Sequence, residues 1–242
     1  MKIARTRRRR SPMPGPRLSS LLGAVLLALV LSSLPSPASA HGVAMVPGSR
    51  TYLCYQDLVA HSSTQMPANP ACADAVRATG TTPLYNWFAV LESNGGGRTK
   101  GFIPDGEICS GGHTGPFNFS SYNAARTDWP KTHLTAGSTI QVQYSNWAAH
   151  PGAFNVYITK DGWSPTKPLA WDDLTLIKSV TNPPQSGRAG ANGGHYYWDL
   201  ALPSGRTGQH ELFIHWIRSD SQENFYSCSD IVFDGGHGEV TY

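Results

Sequence analysis

His41 stands directly after Ala38-Ser39-Ala40, a small-residue triplet of the kind a secretory peptidase cuts behind. Cleavage there would give His41 a free α-amine, and that amine together with the Nδ1 of the same residue can close a chelate ring on a metal ion. An α-amine titrates near about 8, low enough for a metal to displace its proton at neutral pH. A third nitrogen would complete a T-shaped set, and nitrogen-rich tetragonal coordination favours copper(II). Of the other histidines, His150 is the best placed, in Asn146-Trp147-Ala148-Ala149-His150-Pro151-Gly152 between the two clearest strand patterns. A hydrogen-bonding surface histidine is the alternative reading of His150. The common zinc patterns, an H-E-x-x-H helix or a C-x-x-C pair, are absent.

A second stretch carries chemistry: Arg218-Ser219-Asp220-Ser221-Gln222-Glu223-Asn224-Phe225, between a strand pattern and Cys228. Glu223 is a candidate general acid or base, or a group that orients a bound oxygen species; a solvated loop carboxylate is the plainer reading. Phe225 is either core filler or a side chain capping the metal. Asp172-Asp173 are adjacent in a short turn, so they read as a surface or helix-capping pair rather than two carboxylates converging on one bond.

Residues 1–40 have the three parts of a removable leader: an arginine-rich start, an apolar run from Leu21 to Leu31, and the Ala38-Ser39-Ala40 ending. The expected catalytic domain is therefore 41–242, and the expected location is extracellular. Of the 19 basic residues, seven lie in the leader, which leaves 12 basic against 16 acidic and a net charge of −4. Nucleic acid is not an expected partner on that balance, and the apolar run is too short for a membrane span. All four cysteines (Cys54, Cys72, Cys109, Cys228) fall after residue 40, so two disulfides are expected, with three connectivities open.

The elements that must hold these groups are mostly strands. Alternation over 139–144 and 153–159, and β-rich runs over 195–200, 212–218 and 229–233, predict a mainly β antiparallel sandwich. The segment from Tyr52 to about Pro130 is irregular, with short helices expected over 70–78 and 83–92. It reads as a large loop and helix insertion between the first strands.

Taken in order behind a leader, His41-Gly42, the Asn146–Gly152 stretch and Ser221-Gln222-Glu223-Asn224-Phe225 resemble the bacterial lytic polysaccharide monooxygenases of auxiliary activity family ten. Tyr85-Asn86-Trp87-Phe88-Ala89-Val90 and Gly193-Gly194-His195-Tyr196-Tyr197-Trp198 extend the resemblance, which is greatest to the cellulose-active actinobacterial branch. It implies an immunoglobulin- or fibronectin III-like form of the sandwich, and one copper ion on His41 and His150, with Ala148 crowding one axial position and Phe225 occupying the other. Glu223 would lie beside the metal, with Arg218 setting its charge state. Cysteine pairing of Cys54 with Cys72 and Cys109 with Cys228 is implied in the same way. So is the reaction: oxidative cleavage of glycosidic bonds at C1, driven by O2 or H2O2 and an external electron donor.

A crystalline polysaccharide face calls for a flat site, which gives Tyr85, Asn86, Phe88 and Phe117 a possible use against sugar rings. For Phe88, burial in the core is an equal alternative. Trp147 is expected to pack beneath the site. Cellulose is favoured over chitin by these aromatic residues, and the protein is expected to act as a monomer. The rivals are a non-catalytic polysaccharide-binding protein, which gives no reason for a processed N-terminal histidine, and a secreted copper carrier, which leaves Glu223 unexplained.

Overall fold

A computed structural model describes residues 41–242 of the chain; the leader expected over 1–40 lies outside the described residues. The first sheet has the order β1-β4-β8-β7, made of β1 (Ala44–Val46), β4 (Thr139–Ser145), β8 (His195–Ala201) and β7 (Gln185–Ser186). The second has the order β11-β3-β10-β9-β5-β6, made of β11 (Val240–Thr241), β3 (Lys131–Leu134), β10 (Asn224–Phe233), β9 (Gly208–Arg218), β5 (Gly152–Thr159) and β6 (Leu174–Thr181), while β2 (Leu91–Glu92) pairs with the start of β10. The expected sandwich is present, with one departure: β3 runs parallel to β10.

Period-two burial closes the sandwich. Val142 and Tyr144 of β4, Tyr196, Trp198 and Leu200 of β8, and Phe154, Val156 and Ile158 of β5 meet Leu212, Ile214, Trp216 and Phe225 in one core. Strands β9 and β10 are buried on their other face as well, because the inserted region covers it. Phe213, Tyr226 and Cys228 pack there with Leu58, Val76, Leu84, Trp87, Phe119 and Trp129. That second cover explains why β9 and β10 read as nearly continuous buried runs rather than alternating ones.

The insertion holds α1 (Arg50–Ala60), α2 (Pro70–Thr79) and α3 (Thr82–Tyr85). Helix α1, not foreseen in the sequence, starts on a Ser49 cap whose hydroxyl accepts from Tyr52 N. Helix α2 falls where expected, capped by Asn69 and stopped at Gly80. The helix expected over 83–92 ends at Tyr85, because residues 86–90 turn to place Phe88 O on Gly42 N and Leu91–Glu92 on β10. Asp173 caps its turn by accepting from Ala170 N (2.9 Å), and Asp172 pairs with Lys100 on the surface. No helix among the described residues is long and apolar enough to cross a membrane.

Two disulfides, Cys54–Cys72 and Cys109–Cys228, pair as the resemblance implied. A buried ion cluster adds to them. Arg50 of α1 donates through Nε to Asp230 (2.6 Å) and through Nη2 to Glu211 (2.7 Å), tying the helix to β10 and β9. The guanidinium serves both carboxyl groups in this dry interior, so truncating it would leave Asp230 and Glu211 buried without it.

His215, fully buried under the insertion, is held neutral: burial depresses its pKa to about 3, and its Nε2 accepts from Asn224 Nδ2 (2.9 Å). An unfolded chain protonates this imidazole near pH ~6.5 while the folded one does not, so stability falls as pH drops from that value toward 3, by up to about 1.4 kcal/mol per unit. Thermal melts of His215→Gln and wild type between pH 7 and 4 should therefore converge on acidification. Parallel curves would show that His215 does not set the acid limb.

Candidate metal centre

A backbone pairing sets residue 41 beside the loop that carries His150. His41 N lies 3.3 Å from Ala148 O, and Ala148 N donates to His41 O at 3.0 Å, so residue 41 runs antiparallel to the loop that presents His150 two positions later. The next residue has to be small. A Cβ on Gly42 would sit 2.1 Å from Ser145 O, inside the contact that docks the chain start against the end of β4. Glycine after His41 is thus a packing requirement as well as part of a sequence pattern.

His150 lies between β4 and β5, outside any strand ladder, and is followed by Pro151. Its ring Nδ1 is 2.7 Å from Asp220 Oδ2 and 2.8 Å from Arg218 Nη2. These neighbours favour opposite tautomers, since a guanidinium only donates and an ionised carboxylate only accepts. The hydrogen bond from Arg218 holds the Asp220 carboxyl well below the usual range, His150 adding to the effect, so Asp220 is an ionised acceptor beside Nδ1. With the proton of the ring on Nδ1, toward Asp220, Nε2 keeps the lone pair a metal needs.

Arg218 is buried and spans two carboxylates, Asp220 through Nε (2.8 Å) and Glu223 through Nη1. Desolvation works against its charge, but Asp220 and Glu223 outweigh it and the guanidinium pKa is raised. Glu223 is partly exposed at the start of β10, so it is an anchored carboxylate rather than a freely solvated one. Phe225 is completely buried, its ring tilted against Trp216 at 4.8 Å, so its role as core filler is met.

The aromatic residues expected near the site divide. Phe88 is half-buried, edge-on to the His41 ring (5.1 Å) and stacked on Trp147 (4.7 Å, 11°). Trp147 is half-buried beneath Phe88 and against Trp87. Tyr85 is 57% exposed, touching Tyr55, which stacks on buried Trp87. Asn86, partly exposed, donates through Nδ2 to Thr82 O at the end of α3. Phe117 is half-buried and packs on Phe119, further along the insertion and outside this chain of rings.

Sequence reasoning passed over two residues that the structure places at the site. Asp220 sits inside the Arg218–Phe225 stretch, but nothing in the chain order shows which of its carboxylates reaches His150. Tyr196 sits in the quoted Gly193–Trp198 motif and takes the His150 backbone with its hydroxyl. His150 N donates to Tyr196 Oη at 2.7 Å, and Oη donates to His150 O at 2.9 Å. Burial pushes this phenol up to about 12, so it stays protonated at neutral pH.

The one group of three or more histidine, cysteine, aspartate or glutamate ligands gathered closely among the described residues is Cys109, Glu211 and Cys228. Both of its sulfurs are spent in a disulfide, so it holds no metal. Imidazole nitrogens such as those of His41 and His150, with no thiolate beside them, suit copper better than iron–sulfur chemistry.

Residues 41–231 match a family described as lytic polysaccharide mono-oxygenase, cellulose-degrading. A lytic cellulose monooxygenase of Streptomyces ambofaciens is 63% identical over 93% of this chain, which spans 62% of that relative's length. Chitin-binding protein CbpD of Pseudomonas aeruginosa is 38% identical over 90% of the chain and 53% of its own. Among solved structures, a copper complex of the cellulose-active monooxygenase CelS2 superposes with a TM-score of 0.79 at 66% identity, covering 81% of this chain and all of that one.

Proposed function

The chain belongs to the lytic polysaccharide mono-oxygenase family, and from that premise we propose that its mature form is a secreted copper enzyme cleaving crystalline cellulose oxidatively, at C1. The observation that carries the reading is the antiparallel pairing of His41 with Ala148, which sets the processed terminus beside the His150 loop. The copper complex of CelS2 supports the choice of metal, and the names of CelS2 and the Streptomyces relative support the substrate.

His41 would hold the ion through its amine and Nδ1, and His150 through Nε2. Bound copper supplies one-electron chemistry that lets O2 or H2O2, with an external reductant, hydroxylate a sugar carbon beside the glycosidic bond. Asp220 keeps the proton on His150 Nδ1, so this ligand does not have to change tautomer when the ion arrives. Arg218 holds the Glu223 carboxylate in place, where it can position the oxidant or pass a proton to it. Ala148, paired with His41, and buried Phe225 would flank the ion with apolar side chains that add no ligand.

Exposed Tyr85, with Phe88 beside His41, offers sugar rings an apolar surface. Replacing Tyr85 by alanine should weaken cellulose binding roughly fivefold, the equivalent of about 1 kcal/mol of lost stacking, and leave copper affinity unchanged. Pull-down isotherms on microcrystalline cellulose read the first quantity and calorimetric titration the second. Equal binding by both proteins would remove Tyr85 from the contact surface.

CbpD, named for chitin binding, makes chitin the second reading. Product mass spectrometry with copper-loaded protein and ascorbate, run on cellulose and chitin in parallel, decides between them. Aldonic-acid cello-oligosaccharides are expected. Oxidised products from chitin alone would move the substrate, and C4-oxidised products would move the site of attack.

A further inference from the structure

The His150 ligand has an unusual backbone problem. It lies in a loop, so no strand ladder satisfies its N–H and C=O, and Pro151 deprives the next position of a donor. Both groups are taken by one side chain. The Tyr196 hydroxyl accepts from His150 N at 2.7 Å and donates to His150 O at 2.9 Å, which uses the phenol's donor and one of its acceptor sites. Tyr196 belongs to β8 of one sheet, whereas Gly152, two residues past His150, begins β5 of the other.

The ring that carries this hydroxyl cannot drift. It is 2% exposed, packed on Phe154 at 5.0 Å and on Trp216 at 5.6 Å. Trp216 in turn packs, tilted, on Phe225 at 4.8 Å. One contiguous chain of packed rings thus runs from the backbone of His150 to Phe225. Tyr144 provides a contrast in the same core. Its hydroxyl is equally dry but has no hydrogen-bond partner among the described residues, and its ring also packs on Phe154 and Trp216.

We propose that Tyr196 is a positioning residue for the metal centre, clamping the His150 backbone through its hydroxyl and transmitting that constraint through Trp216 to Phe225. The inference rests on the copper reading given above for its affinity readout and on geometry alone for the clamp. It acts through His150 and needs no contact with the ion or the substrate.

Tyr196→Phe keeps the ring and removes only the hydroxyl. In the mature protein it should weaken copper(II) binding about tenfold, within the range seen when outer groups that orient metal ligands are lost, and shift the copper EPR hyperfine splitting. Tyr144→Phe, which removes a buried hydroxyl bonded to nothing, should leave affinity and spectrum at wild-type values, so the pair separates loss of the clamp from loss of core polarity. Amide hydrogen exchange on the copper-free wild type supplies a measurement that needs no variant: the His150 amide should be protected although it lies in a loop.

Wild-type affinity and spectrum in Tyr196→Phe, or an unprotected His150 amide, would overturn the proposal. Failure of the wild type itself to bind copper would instead sink the functional reading, and the exchange result would still decide the clamp.

Discussion

Leaving a single extra residue on the terminus should abolish the activity. A protein that retains Ala40 ahead of His41 has an amide where the mature protein has an amine, and an amide nitrogen binds copper(II) only at the cost of its proton. The α-amine has moved to Ala40, so the set of one amine and two imidazoles on one ion is broken. Copper(II) affinity of the His41–His150 site should fall by more than about 100-fold, since losing the amine there removes a ligand and not merely a group that orients one. Oxidised products should become undetectable, while far-ultraviolet circular dichroism stays unchanged, because His41 still pairs with Ala148. His41→Ala should match it in both assays. Turnover by the Ala40-bearing form would mean that the amine is not a ligand.

The second large effect is on stability. Cys109–Cys228 closes a sequence separation of 119 residues and fastens the inserted region to β10, the strand that starts just after Glu223. Replacing both cysteines by serine should cost about 3–5 kcal/mol, from the freedom restored to the unfolded chain and the loss of buried packing. Cys54–Cys72, with a separation of 18, should cost less in the same chain-entropy account. Denaturant melts of the two double variants give the comparison. The Cys109/Cys228 variant should also lose copper affinity, because the strand bearing Phe225 loses its tie to the insertion. Equal stability of the two variants would show that loop length does not govern their contributions.

The sandwich was legible because its core strands alternate. Val142 and Tyr144, or Phe154, Val156 and Ile158, announce a half-buried surface without any tertiary knowledge. Strand β6 was not legible, since most of Leu174–Thr181 is exposed at a sheet edge and its pattern gives no clear buried face. Helix α1 was obscured by its company: Arg50 and Asp57 are buried there, Arg50 for the sake of Asp230 and Glu211 across the fold. Over residues 83–92, local propensity favoured helix, and the pairing of Gly42 with Phe88 and of β2 with β10 overrode it.

The site divides along the same line. His41 and His150 were visible because each has a local signature, a cleavage motif in one case and a loop between two clear strands in the other. Asp220 and Tyr196 were not, because their roles are defined by distances across the sandwich. A carboxylate in a polar stretch and a tyrosine in an aromatic one carry no mark of the partner they will meet. Phe225 shows the converse: its complete burial was the ordinary expectation for a phenylalanine, and only its packing on Trp216 connects it to the tyrosine that holds His150.

The central claim, that the processed terminus and His150 together make one copper site, is tested most directly by pulsed EPR on the mature protein loaded with one equivalent of copper(II). The spectrum should report two imidazoles and one amine nitrogen on a single tetragonal centre, with the amine coupling absent from the Ala40-bearing form. A centre showing one imidazole, or a spectrum identical in the two forms, would contradict it.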